Sequence, residues 1–235
     1  MADWSSYRLE DFLLFAPRAY WRLFELHNAA LWPAQPFILL LGLGVAALVL
    51  RGAPRAGRLG LALLAAGWVA VGLLFFWQRY ASINWAAPYL MPVFLAEAIL
   101  LLLVGRGAIV PAAARWRLRE GAGAGLFVYA LTLHPLLPLV FGRPLAQAEM
   151  IGLAPDPTAI ATLGLLCLLP RTLLSGLALA VPVFWCLVSA ATLHAMGEGQ
   201  ALVPLAAMLA GLVAWALPPR GAPRGGKADA GPIRT

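Results

Sequence analysis

The chain has 235 residues, 62% apolar and only 11% charged, with a formal net charge of +7 and a mean hydropathy of +0.83. A soluble domain is roughly half apolar and about a quarter charged, so this composition excludes an ordinary soluble enzyme, a disordered chain and a disulfide scaffold. The charges are clustered and leave charge-free windows at residues 26–50, 59–78, 121–142, 172–197 and 199–219. These are bilayer-spanning lengths, since about 20 helical residues cross about 30 Å of hydrocarbon.

Residues 1–31 form an amphipathic segment. In YRLEDFLLFAPRAYWRLFELH the apolar and aromatic residues recur at three and four, with Arg18, Arg22 and Glu25 between them, the pattern of an amphipathic helix broken near Pro17 that either lies in the membrane interface or packs across the ends of the bundle. No signal peptide is expected, because the first 25 residues hold four acids and three arginines with no uninterrupted apolar core.

A transmembrane helical domain follows over residues 32–217. Span one covers 32–50, with Trp32 at the headgroup level, and is closed by Arg51, Arg55 and Arg58. Span two, 59–77, ends at FFWQRY. Span three, 88–104, contains the lone acid Glu97, and Arg106, Arg115, Arg117 and Arg119 come after it. Span four, 121–141, carries HPLLP, whose prolines interrupt a helix.

Residues 142–157 read as a polar, proline-bearing loop that dips toward the membrane. Residues 158–169 are apolar for only 12 positions, either a short tilted fifth span or a re-entrant segment. Spans over 172–191 and 201–217 complete a bundle of seven, or six on the re-entrant reading. Seven spans put 12 basic residues on the side holding the loops after spans one, three and five and the tail, against 5 on the other. Six weaken the split to 8 against 9. The charge rule thus favours seven, with the N-terminus outside and the C-terminus cytoplasmic. The tail, 218–235, is low-complexity and is expected to be a disordered anchor for anionic headgroups.

Chemistry is sparse. Glu97, nine residues into a span, is the sharpest feature, because a carboxylate at mid-membrane is costly and faces a bundle interior or a cavity. It is a candidate proton or cation site, against the plainer reading of a neutral Glu hydrogen-bonded across helices. His134, beside a proline in span four, is its candidate partner. Arg79, Tyr80, Asn84 and Trp85 lie at the same end as Glu25, His27, Asn28, Trp32 and Gln35; together they suit an outward pocket rimmed by an Arg79–Glu25 ion pair, while an aromatic belt explains the tryptophans equally well. Cys167 and Cys186 lie in apolar runs and read as buried small hydrophobes. Three scattered histidines, with no HExxH motif and no paired cysteines, do not spell a zinc site, and no cofactor is expected. Glycines at 42 and 44, at 60, 67 and 72, and at 121, 123 and 125 fit close helix packing, and GAGAG lacks the preceding strand a nucleotide loop needs. The positive charge belongs to the loops, so no nucleic-acid partner is implied.

The segments DFLLFAPRAYWRLFELHNAALWPAQ, INWAAPY, PDPTAIATLGLL and AVPVFWCLVSAATLHAMG resemble a family of uncharacterised bacterial multi-pass membrane proteins, DUF6064, over nearly the whole chain apart from the tail. Arg18, Tyr20, Trp21, Glu25, Asn28, Trp32 and Pro33 match its N-terminal signature, and Asn84, Trp85 and Ala86 its central one. The family favours a PCPT-like run where this chain has Pro155, Asp156, Pro157 and Thr158, and the missing cysteine argues against a thiol role there. The resemblance implies a location in the bacterial inner membrane and no known reaction. On these readings the chain is an all-α polytopic bundle whose partners are the bilayer and either a small solute or other membrane proteins. A small-solute transporter ranks first, a non-catalytic scaffold or accessory subunit second, and an intramembrane enzyme third, since no nucleophile–base or metal pair stands out.

Overall fold

The computed structural model describes residues 15–110 and 116–218. The first half of the amphipathic segment, part of the basic stretch with Arg115, and nearly all of the tail lie outside the described residues. Among the described residues the chain is all-helical: α1 Pro17–Leu31, α2 Ala34–Leu50, α3 Ala56–Ala70 continued by π-helical turns over Val71–Trp77, α4 Ala87–Gly105, α5 Leu118–Thr132, α6 Leu137–Val140, α7 Pro155–Cys167, α8 Leu173–Leu177, α9 Ala180–Ala195 and α10 Leu202–Ala216.

Among the described residues, five helical stretches are long and apolar enough to cross a membrane: Ala56–Ser82, Ala87–Gly105, Leu118–Val140, Leu173–Ala195 and Gly199–Ala216. A sixth arises if α1 and α2, bent by 88° at their junction, count together. The outer surface is apolar, with Leu40, Ile99, Val140 and Val213 largely exposed, as hydrocarbon requires. Proline breaks span four as its HPLLP run predicts: α5 stops at Thr132, a 3-10 turn covers His134–Leu136, and α6 resumes at Leu137.

α1 buries Tyr20, Trp21, Leu23, Phe24 and His27 at helical spacing and leaves Arg18 and Arg22 exposed. It is amphipathic as the sequence predicts, and its aromatic face continues into Phe75, Phe76 and Tyr80 from the span-two end and Trp185 from α9.

The expected fifth span, or re-entrant segment, corresponds to α7. Its 13 residues, about 20 Å of helix, fall short of a hydrocarbon core, and every one of them is buried. α7 is the central helix, packed against α3, α5, α9 and α10. It runs antiparallel to α3, with Gly152 just before it against Gly67, Leu165 against Gly60, and Leu169 just after it against Gly57. Its closest neighbour is α5. A Cβ on Gly123 would come within 2.6 Å of the Gly164 carbonyl, and one on Gly164 within 2.6 Å of the Gly123 carbonyl. Only two glycines permit this backbone approach. Gly42, Gly60 and Gly67 are packed as the sequence suggests, whereas Gly44, Gly121 and Gly125 face open space.

Candidate functional site

Buried polar side chains gather where α7 begins. Asp156 sits in the first turn of α7, where the helix dipole favours a negative charge, and is 1% exposed. Trp185 Nε1 and Ser189 Oγ, both on α9, each donate to its carboxylate at 2.7 Å. His134, on the proline-bounded turn after α5, is fully buried, stands edge-on to Tyr129, and presents Nε2 to Glu149 Oε2 at 4.0 Å. The ligand-type atoms of His134, Glu149 and Asp156 all lie within 4.8 Å of one another. Among the described residues, neither ring nitrogen of His134 has a hydrogen-bond partner, nor has Glu149 Oε2.

A polar chain links this centre to the end of the bundle. Gln200, itself fully buried, donates through Nε2 to Glu149 Oε1 at 2.7 Å. Arg143 donates to Gln200 Oε1, and its guanidinium lies 3.3 Å over the Trp21 ring. Trp21 Nε1 donates at 2.8 Å to Glu198 Oε1, and Glu198 is half-buried at the end of the bundle.

α1 holds the 142–154 loop over the centre. Asn28 Nδ2 donates to the carbonyls of Ala146 and Ala148 at 2.8 Å each, His27 Nε2 contacts the Leu153 carbonyl at 3.0 Å, and Gln147 Nε2 donates to Glu25 Oε1 at 2.7 Å. Gln35 donates back to the Asn28 carbonyl at 2.6 Å. Thr158 Oγ1 accepts from Gly152 N–H and donates to the Ala154 carbonyl, both at 2.7 Å, fixing the loop where it enters α7. The Gln147 bond first, and Arg22 second, hold the Glu25 carboxyl below the usual carboxylate range.

The fold brings some of the sequence candidates together and separates others. Glu25 and Asn28 join, with His27 and Gln35, in clamping the loop. Glu25 pairs with Arg22, and no ion pair joins it to Arg79. Tyr80 is buried among Tyr20, Phe75 and Phe76, and Asn84 Oδ1 accepts from the Ala86 N–H at 2.9 Å. Trp32 and Trp85 are each 70% exposed, as belt residues are. Glu97 is buried in α4, but among the described residues neither of its oxygens has a hydrogen-bond partner, and no ion pair joins it to His134. The carboxylates facing the histidine are Glu149 and Asp156.

Sequence reasoning passed over Glu149, Asp156, Arg143 and Gln200 because each stands in a stretch that reads as loop or turn. One signal was present. Glu149 and Asp156 are the only acids between Glu120 and Glu198, and they immediately precede an apolar run too short for an ordinary span. A cavity of about 280 Å³ among α2, α3, α5 and the 151–153 segment is apolar, lined by residues such as Ile38, Val45, Leu64 and Phe127, and none of His134, Glu149 and Asp156 lines it.

Residues 17–218 match a protein family described as a family of unknown function, DUF6064. No curated protein and no solved structure matches the chain.

Proposed function

The chain belongs to the DUF6064 family, and from its interior we propose a permease-like membrane protein that admits a small cation to a buried polar centre and passes it on. One observation carries this reading: the series of contacts Glu198, Trp21, Arg143, Gln200, Glu149, His134, which leads from a half-buried acid at the bundle end to buried acceptors that have no hydrogen-bond partner among the described residues. Buried polar groups in a bilayer are costly, and in transport proteins they mark ion paths. A partnerless imidazole beside two carboxylates is arranged for a visitor with positive charge.

The proposed topology has seven passages, the fifth made by the 142–154 loop together with α7. The antiparallel register of α7 with α3 supports a crossing over a re-entrant hairpin. The grouping of basic residues supports an N-terminus outside and a C-terminus inside, in the bacterial inner membrane. Glu97 is outside the proposed path.

The test is flux. Full-length protein in liposomes, loaded in turn with a pH-sensitive and a metal-sensitive dye, is expected to pass protons or divalent cations above the rate of empty vesicles. Glu149→Gln should lower that rate at least about tenfold, the scale of losing one positioned charged group. Flux equal to that of empty vesicles for every cation would overturn the reading. The scaffold then stands, and one observation already supports it: Gly121 and Gly125, four apart on α5, present a small-residue face to open space where a partner helix could pack.

A further inference from the structure

We propose that His134 Nε2, one oxygen of Glu149 and one oxygen of Asp156 are the protein ligands of a single divalent first-row transition-metal ion, Zn²⁺ or a close neighbour. The inference deepens the reading of this centre as a cation site and rests on it.

The ligand set argues for the metal class. One imidazole and two carboxylates suit zinc, manganese and iron better than calcium, which takes six to eight oxygens, or magnesium, which keeps most of its waters. Three protein ligands with a vacant fourth position also match the arrangement of zinc sites that exchange a ligand. Charge agrees: two carboxylates and a neutral imidazole bring two negative charges into an apolar bundle, and a divalent ion cancels them. Bonds of about 2.1 Å put two ligands of one ion about 3–4 Å apart. His134 and Glu149 stand at 4.0 Å and the widest separation is 4.8 Å, so contraction by about an ångström closes the site.

The supporting bonds fit the same geometry. Trp185 and Ser189 occupy one lone pair on each Asp156 oxygen and orient the carboxylate. Gln200 occupies Glu149 Oε1 and leaves Oε2 directed at His134. Outer hydrogen bonds of this kind fix metal ligands and tune their basicity. The unpartnered atoms are the ones an ion would take: Glu149 Oε2 and His134 Nε2. His134 lies at a Pro-bounded turn, Glu149 in a loop and Asp156 at a helix start, so three separate segments converge on one point.

The test uses full-length protein in nanodiscs, stripped with a chelator and titrated with Zn²⁺ alone and then Co²⁺ alone. About one zinc per chain is expected by elemental mass spectrometry, retained against millimolar Mg²⁺, with visible Co²⁺ bands of low-symmetry coordination. His134→Gln, Glu149→Gln and Asp156→Asn should each weaken Zn²⁺ binding at least about 100-fold, more than an outer partner's loss, while Glu97→Gln leaves it unchanged. Sub-stoichiometric zinc, or affinity indifferent to His134→Gln, would overturn the assignment. Should that variant not fold, pulsed EPR of the wild-type protein loaded with Mn²⁺ decides, because absence of imidazole nitrogen modulation overturns it equally. The outcomes separate the two readings: bound zinc without flux removes the permease and keeps the site, and proton flux without bound zinc does the reverse.

Discussion

Glu97 and the Glu149–Asp156 pair are both carboxylates buried in an apolar bundle, yet their surroundings are opposite. Glu97 stands in the middle of a continuous helix with no hydrogen-bond donor for either oxygen among the described residues. Asp156 has two donors from α9 and a helix start beneath it, and Glu149 has Gln200 on one oxygen and a histidine before the other. The difference shows that burial alone does not make a site. A carboxylate inside a regular helix is surrounded by its own helix's satisfied backbone, and donors reach it only from neighbours. Where helices break, three segments can aim polar atoms at one point.

Asp156→Ala offers the strongest way to break this contrast. It leaves the Trp185 and Ser189 donors unpartnered in the core and the Glu149–His134 pair without its third member, and should cost about 3–5 kcal/mol, read as a lower unfolding midpoint in detergent. A cost no greater than that of Glu97→Ala would show that the two carboxylates are equivalent after all. Glu97→Met should act with the opposite sign. It exchanges an unsatisfied carboxyl for an apolar side chain of similar size and should raise stability by about 1–2 kcal/mol. A clear loss instead would mean that Glu97 has a partner in the membrane. Ser189→Ala removes one donor and little volume, so a loss of about 1 kcal/mol is expected, with zinc affinity falling about tenfold through the freed carboxylate.

The same contrast explains what was legible in the sequence. Helix positions largely follow from charge-free windows, since a bilayer dictates both: α2, α9 and α10 fall within them, α3 and α5 each start three residues before one, and α4 is the apolar span that Glu97 interrupts. The break at His134 follows from Pro135 and Pro138. α7 was half legible: its 12-residue apolar run marks an unusual element, but only the Gly123–Gly164 approach explains why a short helix can be central, enclosed by α3, α5, α9 and α10. The polar centre was not legible as a cluster. His134 and Glu149 are 15 positions apart, and Asp156 and Gln200 are 44 apart, so no local period links them. Glu97 drew attention because its neighbours in sequence are apolar, a local property, whereas partners are a property of the fold.

Glu25 supplies the smallest and cleanest probe, because it is a carboxylate that has donors without burial. Gln147 donates to it from the loop and Arg22 from the preceding turn of α1, and both lower its pKa. A lowered folded-state pKa means that the contact's contribution is complete above the ordinary carboxylate range and fades as pH falls through the lowered value. Gln147→Ala should therefore move the Glu25 titration, followed by carbon NMR of labelled glutamate, upward toward the ordinary range, with little change in the unfolding midpoint because the pair is solvent-exposed. An unmoved titration would mean that Gln147 does not hold the loop to α1. That outcome would also weaken the contrast between the two buried regions, because the loop that α1 clamps is the one that carries Glu149 to His134.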